Sequence, residues 1–356
     1  MKTHLKKLAA LLITLALVLV GCIACGQQPA VTSPGTDAPA PAAPEAPIAD
    51  APANPADVKI GILIPGSPTD GGFSQAAAEA GKKMQEAYGY TVSVVQAADG
   101  ETIKSEGETM AAEGYKIVFG HGGQCSSPFA EISPDYPDTW FFTFGGTEIR
   151  DNQAPVSMNA EEGFYVLGIL AAKMTQTNKI AWSVGGDYPA YTKTVNAWEL
   201  GARSVNPDIE IMGAVLSATN ATEGYETTLN QIANGADFIV SNSNEAQAGA
   251  IKAVAESAGV YAIGAIGDFT AMAPDSVYAN VLGDYTAGYM KATEAVMNGT
   301  AKAEILFLTM ADDCVSVVWN DALKATLPQD VVAACDEAIA AIIAGTIKVP
   351  NEFEQN

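Results

Sequence analysis

The chain has 356 residues, with 18 basic against 41 acidic side chains, a formal net charge of −23 and 48% hydrophobic residues. A polyanion of this strength repels phosphate backbones and argues against nucleic acid as a partner. Cys125, Cys314 and Cys335 are too few and too scattered for a disulfide framework or metal-ligand spacing, so they read as small buried hydrophobes, with no metal and no cofactor expected.

Lys2, Lys6 and Lys7 precede an apolar run from Leu8 to Val20, the charge-then-apolar order of an export signal, and the run is shorter than the roughly 20 residues of a spanning helix. It ends in Leu19-Val20-Gly21-Cys22, the pattern at which bacterial lipoproteins are acylated and cleaved. A signal peptide over 1–22 with the lipid on Cys22 is therefore expected; Cys25 is the weaker candidate because the leucine three places back is missing. Residues 23–57 are rich in Pro, Ala, Thr, Ser and Asp and read as a solvated tether. Together these features predict a body held at the outer face of a cell membrane by a lipid anchor. Without Lys2, Lys6 and Lys7, 15 basic residues face 41 acidic ones, a net charge near −26.

From Val58 onward the elements alternate. The periodicity predicts a strand over Lys59 to Leu63, a break at Pro65 to Gly72, and a helix over Phe73 to Tyr88. Strands follow near Thr91 to Val95, Lys116 to Phe119 and Thr139 to Thr143, separated by helices over Glu101 to Glu113 and after Cys125. This is the pattern of a parallel sheet covered by helices on both faces. A helix over Glu161 to Met174 carries Phe164, Leu167, Gly168, Ala171 and Met174 at helical spacing and is expected to pack as core near a lobe junction. Much of the order then recurs about 120 residues later: Lys59-Ile60 with Gly81 matches Lys179-Ile180 with Gly201, and Gly114 to Val118 parallels Gly235 to Val240.

The expected fold is therefore α/β, with two doubly wound parallel-sheet lobes joined by a hinge. Lobe 1 is expected over 58–157, completed by roughly 285–312, and lobe 2 over 158–284, completed by roughly 313–350. In such sheets the loops at the carboxyl ends of the strands face the ligand crevice, here the loops 65–75, 120–125, 185–191, 241–247 and 265–270. Among their residues Asp70 reads either as a turn former or as a hydrogen-bond acceptor for ligand. Phe73 reads either as core or as a stacking surface. His121 and Gln124, in Phe119-Gly120-His121-Gly122-Gly123-Gln124, could read polar edges, or His121 could hold its loop. Asn242, Ser243, Asn244 and Gln247 offer neutral donors and acceptors, which suits an uncharged hydroxylated ligand. One histidine in the body does not make a zinc receptor, and neither a Gly-x-Ser-x-Gly elbow nor a phosphate-binding Gly-x-x-x-x-Gly-Lys-Ser/Thr loop occurs, so an enzyme is not expected.

The segment Asp70-Gly71-Gly72-Phe73-Ser74-Gln75 through Gly81 resembles the Asp-x-Ser-Phe-Asn-Gln…Gly signature of the basic membrane protein family. Tyr136 to Phe141, Glu161 to Gly168, Asn196 to Ala202 with Val205-Asn206-Pro207, Gly235-Ala236-Asp237 and Ala344 to Pro350 are similar to that family too. Its members are solute-binding lipoproteins of ABC transporters, with a purine-nucleoside receptor as one type. The resemblance implies the type I periplasmic-binding fold and capture of a nucleoside-like ligand in an interlobe cleft, for delivery to permease subunits, by a monomer. It implies that Asp70 accepts hydrogen bonds from ligand, Phe73 stacks on a planar ring and Asp268 takes ribose hydroxyls. Two departures stand out: Ser74 replaces an Asn, and Asn280-Val281-Leu282-Gly283-Asp284 lacks a lysine that the receptor type uses. A nucleobase or a sugar therefore stays open as ligand, as does a sensor that reports to a signalling receptor in place of a permease.

Overall fold

The computed structural model describes residues 54–69 and 73–351; Cys22, Cys25 and Asp70 lie outside the described residues. The first lobe begins with β1 (Lys59–Ile64), α1 (Phe73–Tyr88), β2 (Thr91–Gln96), α2 (Gly100–Ala112), β3 (Ile117–Gly120), α3 (Ser126–Ile132), β4 (Trp140–Phe144) and β5 (Gln153–Met158). The chain then crosses to α4 (Glu161–Met174), β6 (Lys179–Val184), α5 (Pro189–Val205), β7 (Glu210–Val215), α6 (Ala221–Ala233), β8 (Phe238–Asn242), α7 (Glu245–Ala255), β9 (Tyr261–Gly264) and β10 (Val277–Gly283). It returns for α8 (Tyr285–Met297) and β11 (Leu306–Leu308), and crosses a third time into β12 (Val315–Trp319), α9 (Asp321–Lys324) and α10 (Gln329–Ile343).

Two six-stranded sheets result, in the orders β11-β5-β4-β3-β1-β2 and β12-β10-β9-β8-β6-β7. All pairs are parallel except β10 with β12, as the returning strand enters from the opposite end. The recurrence in the sequence has a structural counterpart. Ile60 lies between Val92 and Ile117, and Ile180 lies in the same register between Ile211 and Phe238. Inner strands are mostly apolar because helices cover both faces: in β1 Ile60, Ile62, Leu63 and Ile64 are all buried, whereas β2, at the sheet edge, has exposed ends and a half-buried middle.

The matched glycines do different work in the two halves. Gly81 gives α1 a close seat on Ile62 and Val92 of the sheet. Gly201 seats α5 on α4, where an added Cβ would run into the Tyr165 carbonyl, and Gly168 meets the Trp198 carbonyl in the same way. Two glycines facing two backbones allow a close helix approach, repeated between α6 and α7 by Gly224 and Gly249, and they keep α4 buried: Phe164, Leu167, Leu170 and Ala171 are fully inaccessible. The helix predicted over Glu161 to Met174 is thus the central element of the second core. Cys125, Cys314 and Cys335 are free and buried, as the sequence suggested.

Candidate functional site

The crevice wall of the first lobe is aromatic. Phe73 opens α1 at the carboxyl end of β1 and is 41% exposed, although it belongs to a helix whose inner face is Ala77, Ala80 and Met84. Its ring stacks on His121 with centroids 3.7 Å apart and meets Tyr285 edge-on at 5.7 Å. Behind them lie Phe144 and Tyr289, at 5.5 Å and 6.0 Å from the His121 ring.

His121 leaves β3 with its backbone N–H donated to the Leu63 carbonyl. Its side chain is fully buried, with Nε2 2.8 Å from the Phe73 carbonyl and Nδ1 2.9 Å from the Tyr289 hydroxyl. A carbonyl only accepts, so Nε2 carries a proton and donates to Phe73, while Nδ1 pairs with the phenol hydroxyl. The imidazole is therefore a shelf that fixes Phe73, with both edges engaged by protein. Burial raises the Tyr285 phenol to about 12 and the Tyr289 phenol well above its ordinary value, so both phenols stay neutral. Ser74 is also buried, and its hydroxyl accepts from the Gly66 amide at 3.0 Å, tying down the loop after β1. Gln124 is exposed at the far end of the His121 loop, which turns at Gly122 with φ 136°; an added Cβ there would collide with the Gln124 amide.

The second lobe presents polar groups and two tyrosines. Asn242, at the end of β8, is buried and donates to Thr194 Oγ1 at 3.1 Å. Asn244 is exposed, holds φ at 50° and donates to the Tyr191 hydroxyl at 2.8 Å. Below them Ser183, Ser241 and Ser243 form a chain of hydroxyls at 2.8 Å and 2.6 Å. Tyr188, the residue before α5, is 64% exposed. Asp268 is exposed, and one carboxylate oxygen accepts from the Thr270 amide at 2.9 Å and from Asn280 Nδ2 at 3.0 Å. Asn280 is fully buried and braces the loop again by accepting from the Phe269 amide at 3.0 Å.

Phe73 and His121 are thus brought together in one lobe, Asn242 and Asn244 meet around α5 in the other, and Asp268 has its own brace. Sequence reasoning missed Tyr188, Tyr191 and Tyr285. The signal for the first two was available: they follow the glycine turn after β6, the counterpart of Phe73 after β1. A hollow of about 450 Å³ lined by Met212, Glu226, Asn230 and Gln231 lies at the outer edge of the second sheet, apart from these loops.

Comparison with known proteins bears on the family and the fold. Residues 57–352 match the family described as "ABC transporter substrate-binding protein PnrA-like". A purine-binding protein of Brucella abortus is 26% identical over 294 residues, covering 82% of each chain. Basic membrane protein A2 of Borrelia garinii is 23% identical over 246 residues, 65% of this chain and 73% of that one. Among solved structures, an ABC transporter solute-binding protein of Conexibacter woesei superposes with TM-score 0.65 at 22% identity, covering 83% of this chain and 99% of its own. A transcriptional activator from Bacillus halodurans gives TM-score 0.72 at 18% identity, covering 82% and 100%; these two likenesses speak for the fold. The family works outside the cytoplasm, takes small-molecule ligands and hands them to permeases. With its two parallel-sheet lobes and crevice loops, this chain belongs to the PnrA-like family of ABC transporter substrate-binding proteins, and its role is to bind solute, not to catalyse a reaction.

Proposed function

We propose that the protein captures a nucleoside, or a closely related ring-bearing polar molecule, between its lobes and delivers it to a permease while anchored to the membrane through a lipid on Cys22. The lobes, 58–157 with roughly 285–312 and 158–284 with roughly 313–350, move as units about the three crossovers. The single observation that carries the reading is Phe73: a large ring 41% exposed, yet held flat by stacking on His121, is costly to leave in water and is suited to a planar ligand. Asp268, preset by Asn280, accepts from sugar hydroxyls; Ser74 and Gln124 lie in the loops beside Phe73, Asp70 is the further acceptor that the family resemblance implies, and Asn242 and Asn244 add neutral polarity. His121 acts by positioning Phe73. The purine-binding relative from Brucella abortus supports this ligand class.

The test is a thermal-shift panel on the purified protein with nucleosides, free bases, pentoses and amino acids, since a ligand that binds only the folded state raises the midpoint. A rise confined to nucleosides supports the proposal; a rise with pentoses alone reassigns the ring wall. A sensory role is the second reading, favoured by the likeness to the transcriptional activator protein of Bacillus subtilis, 25% identical over 212 residues. Nucleoside uptake in a strain lacking the gene separates the two: loss of uptake supports delivery, and intact uptake with altered transcription supports sensing.

A further inference from the structure

The first crossover, from β5 into α4, concentrates unmet polar groups. Ser157 Oγ, Asn159 Oδ1 and both carboxylate oxygens of Glu161 are buried without a hydrogen bond. Native interiors leave few such atoms, so four within five residues mark a segment whose present arrangement is costly. Elsewhere in the same lobe Ser133 Oγ and Gln153 Oε1 are also unmet, but singly, and between them buried Asn152 donates from its amide toward three carbonyls, those of Ser133, Tyr136 and Thr139.

Glu161 is fully inaccessible, and from α5 the buried Lys193 ammonium comes within 3.4 Å of its Oε2 while donating to the Met158 carbonyl at 3.0 Å. That carbonyl belongs to the crossover itself, and the same segment is tied to the third crossover, where Asn159 N–H donates to the Leu308 carbonyl at 2.9 Å and Met310 N–H donates to Glu162 at 2.6 Å. Around Glu161 the charged groups are Lys193 on α5, Glu162 on its own helix and, beyond Glu162, Asp312 after β11. The faces of β10 and α10 toward α4 offer Val281 against Gly163 and the neutral Cys335 thiol against the Val166 carbonyl. The pair Lys173 and Asp330 joins α4 to α10 at the far end of the helix, about 18 Å away at 1.5 Å per residue.

We propose that Glu161 is a proton-operated brace of the hinge: as the neutral acid it holds the dry crossover seen here, and as the carboxylate it favours an arrangement in which water reaches residues 157–161. The physical basis is that a dehydrated carboxylate with one cation 3.4 Å away, whose attraction does not offset burial, is poorly compensated, whereas a neutral acid in that place costs little. Burial outweighs the Lys193 charge and raises this carboxyl to about 7, so the proton is exchanged where outer-surface pH varies. By linkage, raising the pH through that value shifts population toward the hydrated crossover. The proton coupling goes beyond the ligand reading and needs no ligand to be tested.

The experiment is amide hydrogen exchange of the full-length, ligand-free protein from pH 5.5 to 8.5, corrected for intrinsic rates. Protection of residues 157–162 should fall as pH rises through about 7, at most about tenfold per pH unit, the limit set by one proton, while β1 and β6 stay protected. In Glu161→Gln the same amides should show no pH dependence. Should that variant fold poorly, Lys193→Met serves: loss of the ammonium favours the neutral acid further and should move the transition to higher pH. Unchanged protection in the natural chain, an equal fall in Glu161→Gln, or no displacement in Lys193→Met overturns the brace.

Discussion

Phe73 and Asp268 carry the chemistry expected of the ligand, and each is held by a residue distant in sequence. If Phe73 stacks, Phe73→Ala should weaken nucleoside binding by about 1–3 kcal/mol and leave the melting midpoint almost unmoved, because the ring is half in water; calorimetric titration and a melt on one sample check both. Asp268→Ala should cost ribosides more affinity than free bases. Asn280→Ala should do the same and also destabilise the fold by about 1–3 kcal/mol, since it strips a buried brace from the 268–270 loop, a difference visible in urea unfolding. The candidate loops were legible in the sequence because strand, glycine-rich break and helix come in fixed order, so Phe73 and Asn242 could be placed at strand ends without coordinates. The role of His121 was not legible. Among its partners are Phe73 and Tyr289, the latter 168 positions away, and no local pattern announces a hydroxyl arriving from α8. Asn280 drew notice for a lysine missing beside it, while its own bonds to the 268–270 loop depend on a contact between β10 and the end of β9.

Among the elements, α4 and α5 make an unforgiving contact, and α4 begins with Glu161. Gly201→Ala should destabilise by about 1–3 kcal/mol or more, because its Cβ points at the Tyr165 carbonyl and one helix must move; Gly81→Ala, facing flexible side-chain ends, should cost less. Glu161 gives a stability profile with a definite sign. Its carboxyl is higher in the folded state than its ordinary 4.5, so its stabilising contribution is complete below about pH 4.5 and is lost as pH rises toward about 7. Unfolding free energy of Glu161→Gln should lack that decline, by on the order of a few kcal/mol across the window, measured by urea titration at pH 5 and pH 8. The helix was readable from its apolar spacing. The burial of its first glutamate was not, because an acidic residue at a helix start normally reads as a solvated cap, and only tertiary packing against α5 removes the water.

At the scale of the molecule, the recurrence of strand order and register gives two six-stranded sheets, and the proposed function has the lobes built on them close on a solute about the three crossovers. The doubling was legible because parallel pairing imposes the same spacing on both halves; the return of β12 antiparallel to β10 was not, since it follows from where the third crossover enters the second sheet. A ligand bridging an aromatic wall in one lobe and a braced carboxylate in the other should need both its parts. The most direct measurement is therefore calorimetric titration of the protein with guanosine, with guanine and with ribose under one set of conditions. Saturable binding of guanosine, with guanine weaker and ribose weakest, is the result predicted. Ribose binding as tightly as guanosine, or binding of guanosine unaltered in Phe73→Ala, would contradict capture of a nucleoside between these lobes.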